Sequence, residues 1–584
     1  MEMLNVKING MDVQAPKGST ILEAARLANI NIPTLCYLKD TNAIAACRIC
    51  VCEVKGARSY ATACMHPIEE GMVIETNTPK IRKARKTTLE LILSNHRREC
   101  LSCVRSGNCE LQTLAQEYGC DEHKFLEVSK TENLVDVNDV LIRDNSKCIL
   151  CRRCVAVCAQ NQGAGVIGTN DRGFDTHISP AFDVPLDKTA CISCGQCITV
   201  CPTGALREKD DTDKIWAALN DPTKHVVVGT APAVRAQIGE EFGYPMGTNV
   251  EGKMAASLRR LGFNGVFDVD TAADVTIMEE GTELLGRLQN GGKLPLITSC
   301  SPGWIKFCEY NYPEFLENIS SCKSPQQMFG ALMKSYYAEK MNLDPKDIVV
   351  CTIMPCTAKK FEIMRDHQTA NDGLRDVDVT ITTRELARMI RRSGIMFQEL
   401  PAEETFDPIF GIASGAAHIF GATGGVMEAA LRTVYEVVTG EELKGLDFHA
   451  VRGTQGIKEA TVKVGDLDVN VAVVSGTANA AKLLDAIKAG EKNYHFVEVM
   501  ACPGGCVNGG GQPQVHGSVR NSIDVRAERA KALYSEDAGM TLRKSHENPI
   551  VKTLYSEFMP EGPGKGKAHH LLHTKYVARD KYPK

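Results

Sequence analysis

Residues 3 to 14 alternate apolar and polar positions on either side of Asn9-Gly10, the pattern of two short strands joined by a tight hairpin turn. Thr20-Ile-Leu-Glu23 then places an N-cap threonine three residues before a glutamate, which predicts a helix running through an Ala-rich stretch to near Asn29. Strand, turn, strand and helix in that order predict a β-grasp domain over 1–78. A basic helical segment follows from Lys80 through Leu89-Glu-Leu-Ile-Leu93. Beyond Asp221-Pro222 the pattern changes to short apolar runs, each followed by a loop and helical periodicity. They are His225-Val-Val-Val-Gly-Thr before Ala231, Gly265-Val-Phe-Asp-Val before the helix holding Met278-Glu-Glu, Leu294-Pro-Leu-Ile-Thr before Ser299, Ile348-Val-Val-Cys-Thr-Ile before Met354, and Phe496-Val-Glu-Val-Met500. Buried strands alternating with helices predict an α/β domain with largely parallel sheets over 222–584. Ligands of such sheets sit beyond the carboxyl ends of the strands, and cysteines stand there at Cys300, Cys356 and Cys502, so these strand ends are expected to converge on one buried site.

Composition sharpens this picture at one point, the 24 cysteines among 584 residues. A formal net charge of −5 argues against a nucleic-acid footprint. The N-terminus lacks the basic, apolar, small-residue order of a secretory signal, and no apolar run reaches the ~18 residues of a membrane span. The expectation is a cytoplasmic protein whose thiols stay reduced and hold metal rather than pair as disulfides.

Spacing sorts the cysteines. Cys36, Cys47, Cys50 and Cys64 follow C-x10-C-x2-C-x13-C, and loop-borne thiolates on a β-grasp suit a 2Fe-2S cluster, with structural zinc as the other reading. Cys52 has no ligand place in that pattern and reads as packing. His96, Cys100, Cys103 and Cys109, H-x3-C-x2-C-x5-C within 79–125, fit a 4Fe-4S cluster with one imidazole ligand, zinc again remaining open on spacing alone. Cys120 and His123 read as structural. Cys148-x2-Cys151-x2-Cys154-x3-Cys158 is repeated by Cys191-x2-Cys194-x2-Cys197-x3-Cys201-Pro202 within 139–209, the run of a two-cluster ferredoxin, in which each fourth cysteine crosses to the other cluster. Cys148, Cys151, Cys154 and Cys201 are thereby assigned to one 4Fe-4S cluster, and Cys191, Cys194, Cys197 and Cys158 to the other.

Three further motifs make a family visible: Thr298-Ser-Cys-Ser-Pro-Gly-Trp304, Met354-Pro-Cys-Thr-Ala-Lys-Lys-Phe-Glu362 and Glu498-Val-Met-Ala-Cys-Pro-Gly-Gly-Cys-Val-Asn-Gly-Gly-Gly511. Over essentially its whole length the chain resembles the FeFe hydrogenases of the large, multi-cluster clostridial kind. More narrowly it is similar to the catalytic subunits of NAD(P)-linked hydrogenase complexes, and its N-terminal part to the cluster-bearing subunit of respiratory complex I. The resemblance implies an α+β multidomain architecture: a β-grasp 2Fe-2S domain, a His/Cys cluster domain, a two-cluster ferredoxin-like domain and a large α/β catalytic domain. It implies an H-cluster, a 4Fe-4S cubane joined to a two-iron unit with CO, cyanide and azadithiolate, beside one 2Fe-2S and three accessory 4Fe-4S clusters.

Carried over by motif, Cys356 and Cys502 hold the cubane, Cys506 bridges cubane to diiron unit, and Lys359 faces a cyanide. Met354 and Met500 form polarizable walls, and Ala231, Pro232, Ser324, Gln326 and Phe420 line the same pocket. The first motif departs from the family's commonest form, in which two adjacent cysteines serve as proton relay and cubane ligand in turn. Read by position, Cys300 is the relay and Ser301 stands in the ligand's place; a shifted register, with Cys300 ligating and Ser301 relaying, is also open. The implied proton route continues through Glu280, Ser320 and Glu283 to Arg287. The implied reaction is reversible oxidation of H2 to protons and electrons, the accessory clusters passing electrons to ferredoxin and/or NAD(P)-linked diaphorase subunits. The alternative is a hydrogenase-like iron-sulfur assembly or electron-transfer protein without H2 chemistry; the presence of Cys506, Lys359 and Glu362 favours the enzyme.

Overall fold

The computed structural model describes residues 2–121, 123–125, 135–369, 373–443, 445–465 and 467–581. At the N-terminus, Met3–Ile8 pairs antiparallel with Met11–Pro16 across Asn9 and Gly10, both at positive φ (50° and 82°), the backbone that a two-residue hairpin turn requires. The first strand also pairs in parallel with Val73–Glu75, extending the sheet to five strands. Thr20 caps the helix Ile21–Leu27 through a full capping box with Glu23, and Ile21, Leu22, Ala24 and Ala25 are buried. The helix ends two residues before Asn29, which takes a left-handed φ of 58°.

The basic segment forms the helix Pro79–Ser94. Its Arg85 reaches back to the carbonyls of Ile49 (2.9 Å) and Val51 (2.8 Å), tying the helix to the loop that carries Cys47 and Cys50. The duplicated cysteine region is built on a three-stranded antiparallel sheet, Val135–Val137, Leu141–Asp144 and Leu206–Glu208. Its duplication is visible in the backbone: Leu150 and Arg152 in the first cysteine loop, and Ser193 and Gly195 at the equivalent places of the second, all have positive φ.

Two four-stranded sheets organise the remainder. One is wholly parallel, with Gly265–Asp268, His225–Thr230, Ile348–Met354 and Val379–Thr382 in that order. In the other, Leu296–Ile297, Phe496–Met500 and Leu467–Ser475 run parallel, and Ile457–Val464 closes the edge antiparallel. The apolar run around Leu294 yields a strand only at Leu296–Ile297. The 22-residue helix Val269–Asn290, capped by the Asp268 carboxylate, touches apolar groups of both cores. The C-terminal stretch is packed: helix Gly566–Leu572 buries Ala568, Leu571 and Leu572 in the first of these cores. Among the described residues no helix is long and apolar enough to cross a membrane.

Candidate active site

The first thiol group is assembled by one loop and a neighbouring turn. Cys36 and Cys47 exchange backbone N–H to sulfur contacts at 3.4 and 3.5 Å, and the Cys50 and Cys64 sulfurs lie 3.4 Å apart. Hydrogen bonding from the Cys36 thiol draws Cys47 down to about 6, and Cys64 lowers Cys50 in the same way, so each pair holds one readily ionised sulfur. Cys52 is apart from them, against the Ala61 carbonyl, its thiol pushed up to about 12 by burial. It is a packing side chain, as its offset predicts.

His96 is half-buried, with Nδ1 unpaired, and desolvation lowers its pKa to about 4. The imidazole is therefore neutral, the form that binds metal. Cys109 lies in one apolar cluster with Cys36, Cys47 and Cys151. Cys103 abuts the end of the duplicated region closely enough that a methyl group on Gly204 would come within 2.6 Å of its sulfur. Asn42, which spacing gave no reason to select, donates to the Cys36 carbonyl at 2.8 Å and to the Cys151 carbonyl at 3.0 Å, clamping the first cysteine loop to the third.

In the duplicated region, Cys148, Cys151, Cys154 and Cys201 line one cavity, although Cys201 lies 47 residues beyond Cys154. Cys158 instead faces Cys191 and Cys197, alongside Cys194. Burial raises the thiols of both sets, so occupation by metal must displace protons.

The second set sits directly on the large domain. Thr357 Oγ1 donates to the Ser193 carbonyl (2.8 Å), Gln196 Nε2 to that of Asn508 (2.7 Å), and Lys306 Nζ to Ser193 Oγ (3.1 Å). A Cβ on Gly510 would lie 2.4 Å from the Cys194 carbonyl oxygen, and one on Gly505, at φ 96°, 2.6 Å from the Thr423 nitrogen. Gly505, Gly509 and Gly510 thus lie against backbone of neighbouring segments, whereas Gly504 and Gly511 lie against the side chains of Arg526 and Thr382. Gly510→Ala is expected to destabilise the chain by about 1–3 kcal/mol, measured as a lowered unfolding midpoint, since both nearest atoms are backbone and neither can rotate away.

The strand ends of His225–Thr230, Leu296–Ile297, Ile348–Met354 and Phe496–Met500 meet at a second cavity of about 70 Å³. Its walls include Ala231, Pro232, Cys300, Gln326, Met354, Cys356, Lys359, Phe420, Met500 and Cys506. Cys356 accepts a hydrogen bond from Cys502, which lowers the Cys356 thiol, whereas burial pushes Cys506 up to about 12. Ser324 stands behind the wall, where its hydroxyl donates to Glu362 Oε2 at 2.8 Å. The same oxygen receives Lys359 Nζ at 2.9 Å and Gln326 Nε2 at 3.2 Å, so Glu362 fixes the lysine at the cavity edge. Lys359 Nζ also donates to the Cys300 carbonyl at 3.2 Å.

Cys300 and Ser301 part company here. Cys300 lines the cavity and feels Glu280 and Cys506, with its thiol raised by burial. Ser301 points the other way, its hydroxyl accepting from the Ala501 N–H at 3.1 Å, next to Cys502. Behind Cys300, Glu280 Oε1 accepts from Ser299 N (3.2 Å) and Ser299 Oγ (3.1 Å), while Oε2 is buried without a partner. Burial raises Glu280 to about 7. Ser320 Oγ donates to Glu283 Oε2 at 2.8 Å, and Arg287 Nη2 to Glu283 Oε1 at 2.6 Å.

Two buried acids escaped selection. Glu498 accepts from Gly424 N (2.6 Å) and Met427 N (2.8 Å), holding the Phe420 segment to the strand before Cys502; a charge inside an otherwise apolar strand was the available signal. Asp270 lines the cavity and pairs with His418 Nδ1 at 2.6 Å.

Matches to known proteins follow the same partition. Residues 224–510 match the model of the iron only hydrogenase large subunit, C-terminal domain, and 523–579 that of the iron hydrogenase small subunit. Residues 1–79 match a 2Fe-2S iron-sulfur cluster binding domain, 85–124 an NADH-ubiquinone oxidoreductase-G iron-sulfur binding region, and 147–205 a 4Fe-4S dicluster domain. The chain is 49% identical to the NADP-reducing hydrogenase subunit HndD of Solidesulfovibrio fructosivorans over 100% of both chains. It is 46% identical to iron hydrogenase 1 of Clostridium pasteurianum over 98% of this chain and 100% of that one. A solved structure of a variant of the FeFe-hydrogenase HydA1 from Chlamydomonas reinhardtii superposes with a TM-score of 0.56 at 44% identity, covering 63% of this chain and 98% of that one.

Proposed function

This chain belongs to the iron-only (FeFe) hydrogenases, and we propose from that premise that it interconverts H2 with two protons and two electrons at the cavity where the four strand ends meet. It is an oxidoreductase with 2Fe-2S and 4Fe-4S domains joined to a hydrogenase catalytic domain. The observation that carries the reading is the joint placement of Cys356 and Cys506 at a mostly apolar cavity, with Cys502 hydrogen-bonded to Cys356 and with Cys300 backed by a buried Glu280. That donor set fits an H-cluster: soft thiolates for iron, thioether walls from Met354 and Met500, and one lysine at the rim. Cys356 and Cys502 would hold the cubane and Cys506 would join it to the diiron unit, with Lys359 donating to a cyanide. When bound, the group supplies a Lewis-acidic iron and an adjacent base that together polarise H2.

The protein's part is to move protons and electrons. Cys300 carries protons between the cavity and Glu280, and Ser320 and Glu283 extend the route toward Arg287. Electrons pass from the catalytic centre to the Cys158, Cys191, Cys194, Cys197 cluster through the packed Cys194 and Gly510 contact, then to the Cys148, Cys151, Cys154, Cys201 cluster. There the chain of clusters forks, because the β-grasp 2Fe-2S group (1–78) meets that cluster through Asn42, and the His96, Cys100, Cys103, Cys109 group (79–125) meets it through Gly204. One 2Fe-2S and three accessory 4Fe-4S clusters over 1–78, 79–125 and 139–209, ahead of a catalytic domain over 222–584, account for the cysteine groups. Two ports suit two acceptors, ferredoxin and an NAD(P)-linked diaphorase subunit; the NADP-reducing relative supports the second. The reduced thiols suit a cytoplasmic setting.

Infrared spectra of chain matured with the diiron cofactor should show CO and cyanide stretching bands, together with H2 evolution from reduced methyl viologen. Neither appearing would overturn the assignment. In this reading Ser301 takes the fourth cubane position and Cys300 the relay, supported by the Ser301 contact with Ala501 beside Cys502 and by Cys300 lining the cavity. Ser301→Cys is expected to shift the cubane's redox potential and change its EPR signal, since a thiolate is a softer ligand for iron than a seryl oxygen; unchanged cubane spectra and turnover would remove Ser301 from that place.

A further inference from the structure

Glu283 meets Arg287 through Oε1 alone; its other oxygen belongs to a different group of side chains. Helix Val269–Asn290 carries Glu279 and Glu283 four residues apart, on one face. Against that face the backbone ties 321–323 to 572–574, Lys323 N donating to the Leu572 carbonyl and Thr574 N to that of Ser321, both at 2.7 Å. This register sets Cys322, which belongs to none of the iron-sulfur groups, beside His573. Cys322 Sγ is 3.8 Å from Glu283 Oε2, and one ligand atom each of Glu283, Cys322 and His573 lie within 4.8 Å of one another. His573 Nε2 lies 3.0 Å from Glu279 Oε2, a fully buried carboxylate held by the Tyr555 hydroxyl and by Gly564 N at 2.6 Å. A carboxylate on one ring nitrogen keeps the proton there and leaves the other nitrogen's lone pair free to ligate, as behind metal-binding histidines. That lone pair, on Nδ1, meets the Ser321 hydroxyl at 2.8 Å.

We propose that Glu283, Cys322 and His573 form a zinc site whose occupation blocks the proton relay at Glu283. The site stands on its own side chains; the block rests on the hydrogenase reading. One thiolate, one imidazole and one carboxylate suit Zn2+ in a tetrahedral array with water in the fourth place, and suit Mg2+ or Ca2+ poorly. Such an array holds its ligand atoms about 3.4–3.6 Å apart, near the 3.8 Å already separating sulfur and carboxylate. The hydrated ion enters at the edge where the Glu283 and Arg287 side chains are 16% and 15% exposed. On binding, Nδ1 and Oε2 exchange their Ser321 contacts for the metal. The Cys322 S–H bond breaks, the sulfur keeps the electron pair as a zinc-bound thiolate, and the proton leaves with the water that the ion sheds. No oxidation state changes, and the two anionic ligands neutralise the ion. Oε2 is also the oxygen to which Ser320 donates, so a carboxylate coordinated there no longer takes protons from the relay.

In matured enzyme, one equivalent of ZnCl2 should stay bound through gel filtration, its X-ray absorption fitting one sulfur at ~2.3 Å beside nitrogen and oxygen ligands. Viologen-driven H2 evolution should fall at least ~10-fold as that equivalent fills and return on adding EDTA, with CO and cyanide bands and accessory-cluster EPR signals unchanged throughout. Cys322→Ala and His573→Gln should each weaken zinc binding at least ~100-fold, and Glu279→Gln about tenfold, in chains whose cluster signals mark them as folded. Zinc bound without sulfur, or inhibition of Cys322→Ala and His573→Gln as strong as that of wild type, would overturn the site. Zinc bound in the expected coordination with turnover unaffected would overturn the block. Wild-type chain lacking the infrared bands would instead overturn the hydrogenase reading, with zinc binding still measurable.

Discussion

Glu280→Gln is expected to depress H2 uptake and H2 evolution together by at least ~100-fold, with the infrared bands of the metal centre and the EPR signals of the accessory clusters unchanged. Gln has the shape of Glu and can still accept from Ser299, so the loop before Cys300 keeps its geometry. What disappears is the ionisable carboxyl placed between Cys300 and the Ser320 and Glu283 pair. Its pKa of about 7 lets it hold and release a proton near neutrality, whereas a carboxylate at its ordinary value would stay empty. The same shift makes a stability prediction. The folded chain keeps the Glu280 proton up to about pH 7 while the unfolded chain releases it near 4.5, so this residue's contribution favours folding below that window and is lost as pH rises through it. Glu280→Gln should therefore flatten the fall in stability across that window and be the more stable form above pH 7, as thermal unfolding at several pH values would register. Wild-type turnover in this variant would take Glu280 out of the relay.

Cys506→Ala should abolish retention of the diiron unit and reduce H2 chemistry to background, leaving the accessory-cluster signals and the fold in place. The loop around Cys506 is held by its backbone, through Gly509 N to the Cys506 carbonyl at 2.9 Å and Arg529 Nη1 to the Val507 carbonyl at 3.1 Å, so loss of the sulfur leaves the loop where it is. The stability cost is that of one buried atom at a cavity wall, about 1 kcal/mol. Cys52→Ala supplies the control, a buried thiol outside every cluster group, for which activity should persist. Retained CO and cyanide bands in Cys506→Ala would refute the bridging assignment.

Local chemistry carried much of this protein into its sequence. Asn9-Gly10 and the Thr20 and Glu23 capping box announce their turn and helix because the relevant contacts span a few residues. The cysteine groups are legible for a related reason: metal ligands separated by two residues must share one small loop, so spacing nearly states geometry, and the duplicated run extends this to Cys158 and Cys201. The five apolar runs of the large domain announced strands because parallel strands, buried on both faces, lose their alternation. Runs of that kind do not say how strands sort, and the two-sheet arrangement, with Ile457–Val464 antiparallel at one edge, came from pairing across distant segments.

Tertiary structure alone decided matters that depend on direction or on groups far apart in the chain. Cys300 and Ser301 are adjacent, and only the turn of the backbone sends one side chain into the cavity and the other to Ala501. The glycines from Gly505 to Gly511 could have served a ligand or a neighbour; their neighbours, Thr423 and Cys194 among them, come from other elements and cannot be read from the loop. Asn42 clamping Cys36 to Cys151, and His573 meeting Ser321 across 252 residues, leave no periodic trace because a single hydrogen bond constrains a single position. Ligand spacing and strand pattern were written in sequence because they repeat over short distances; the aim of each side chain was settled only when the strand ends were brought together.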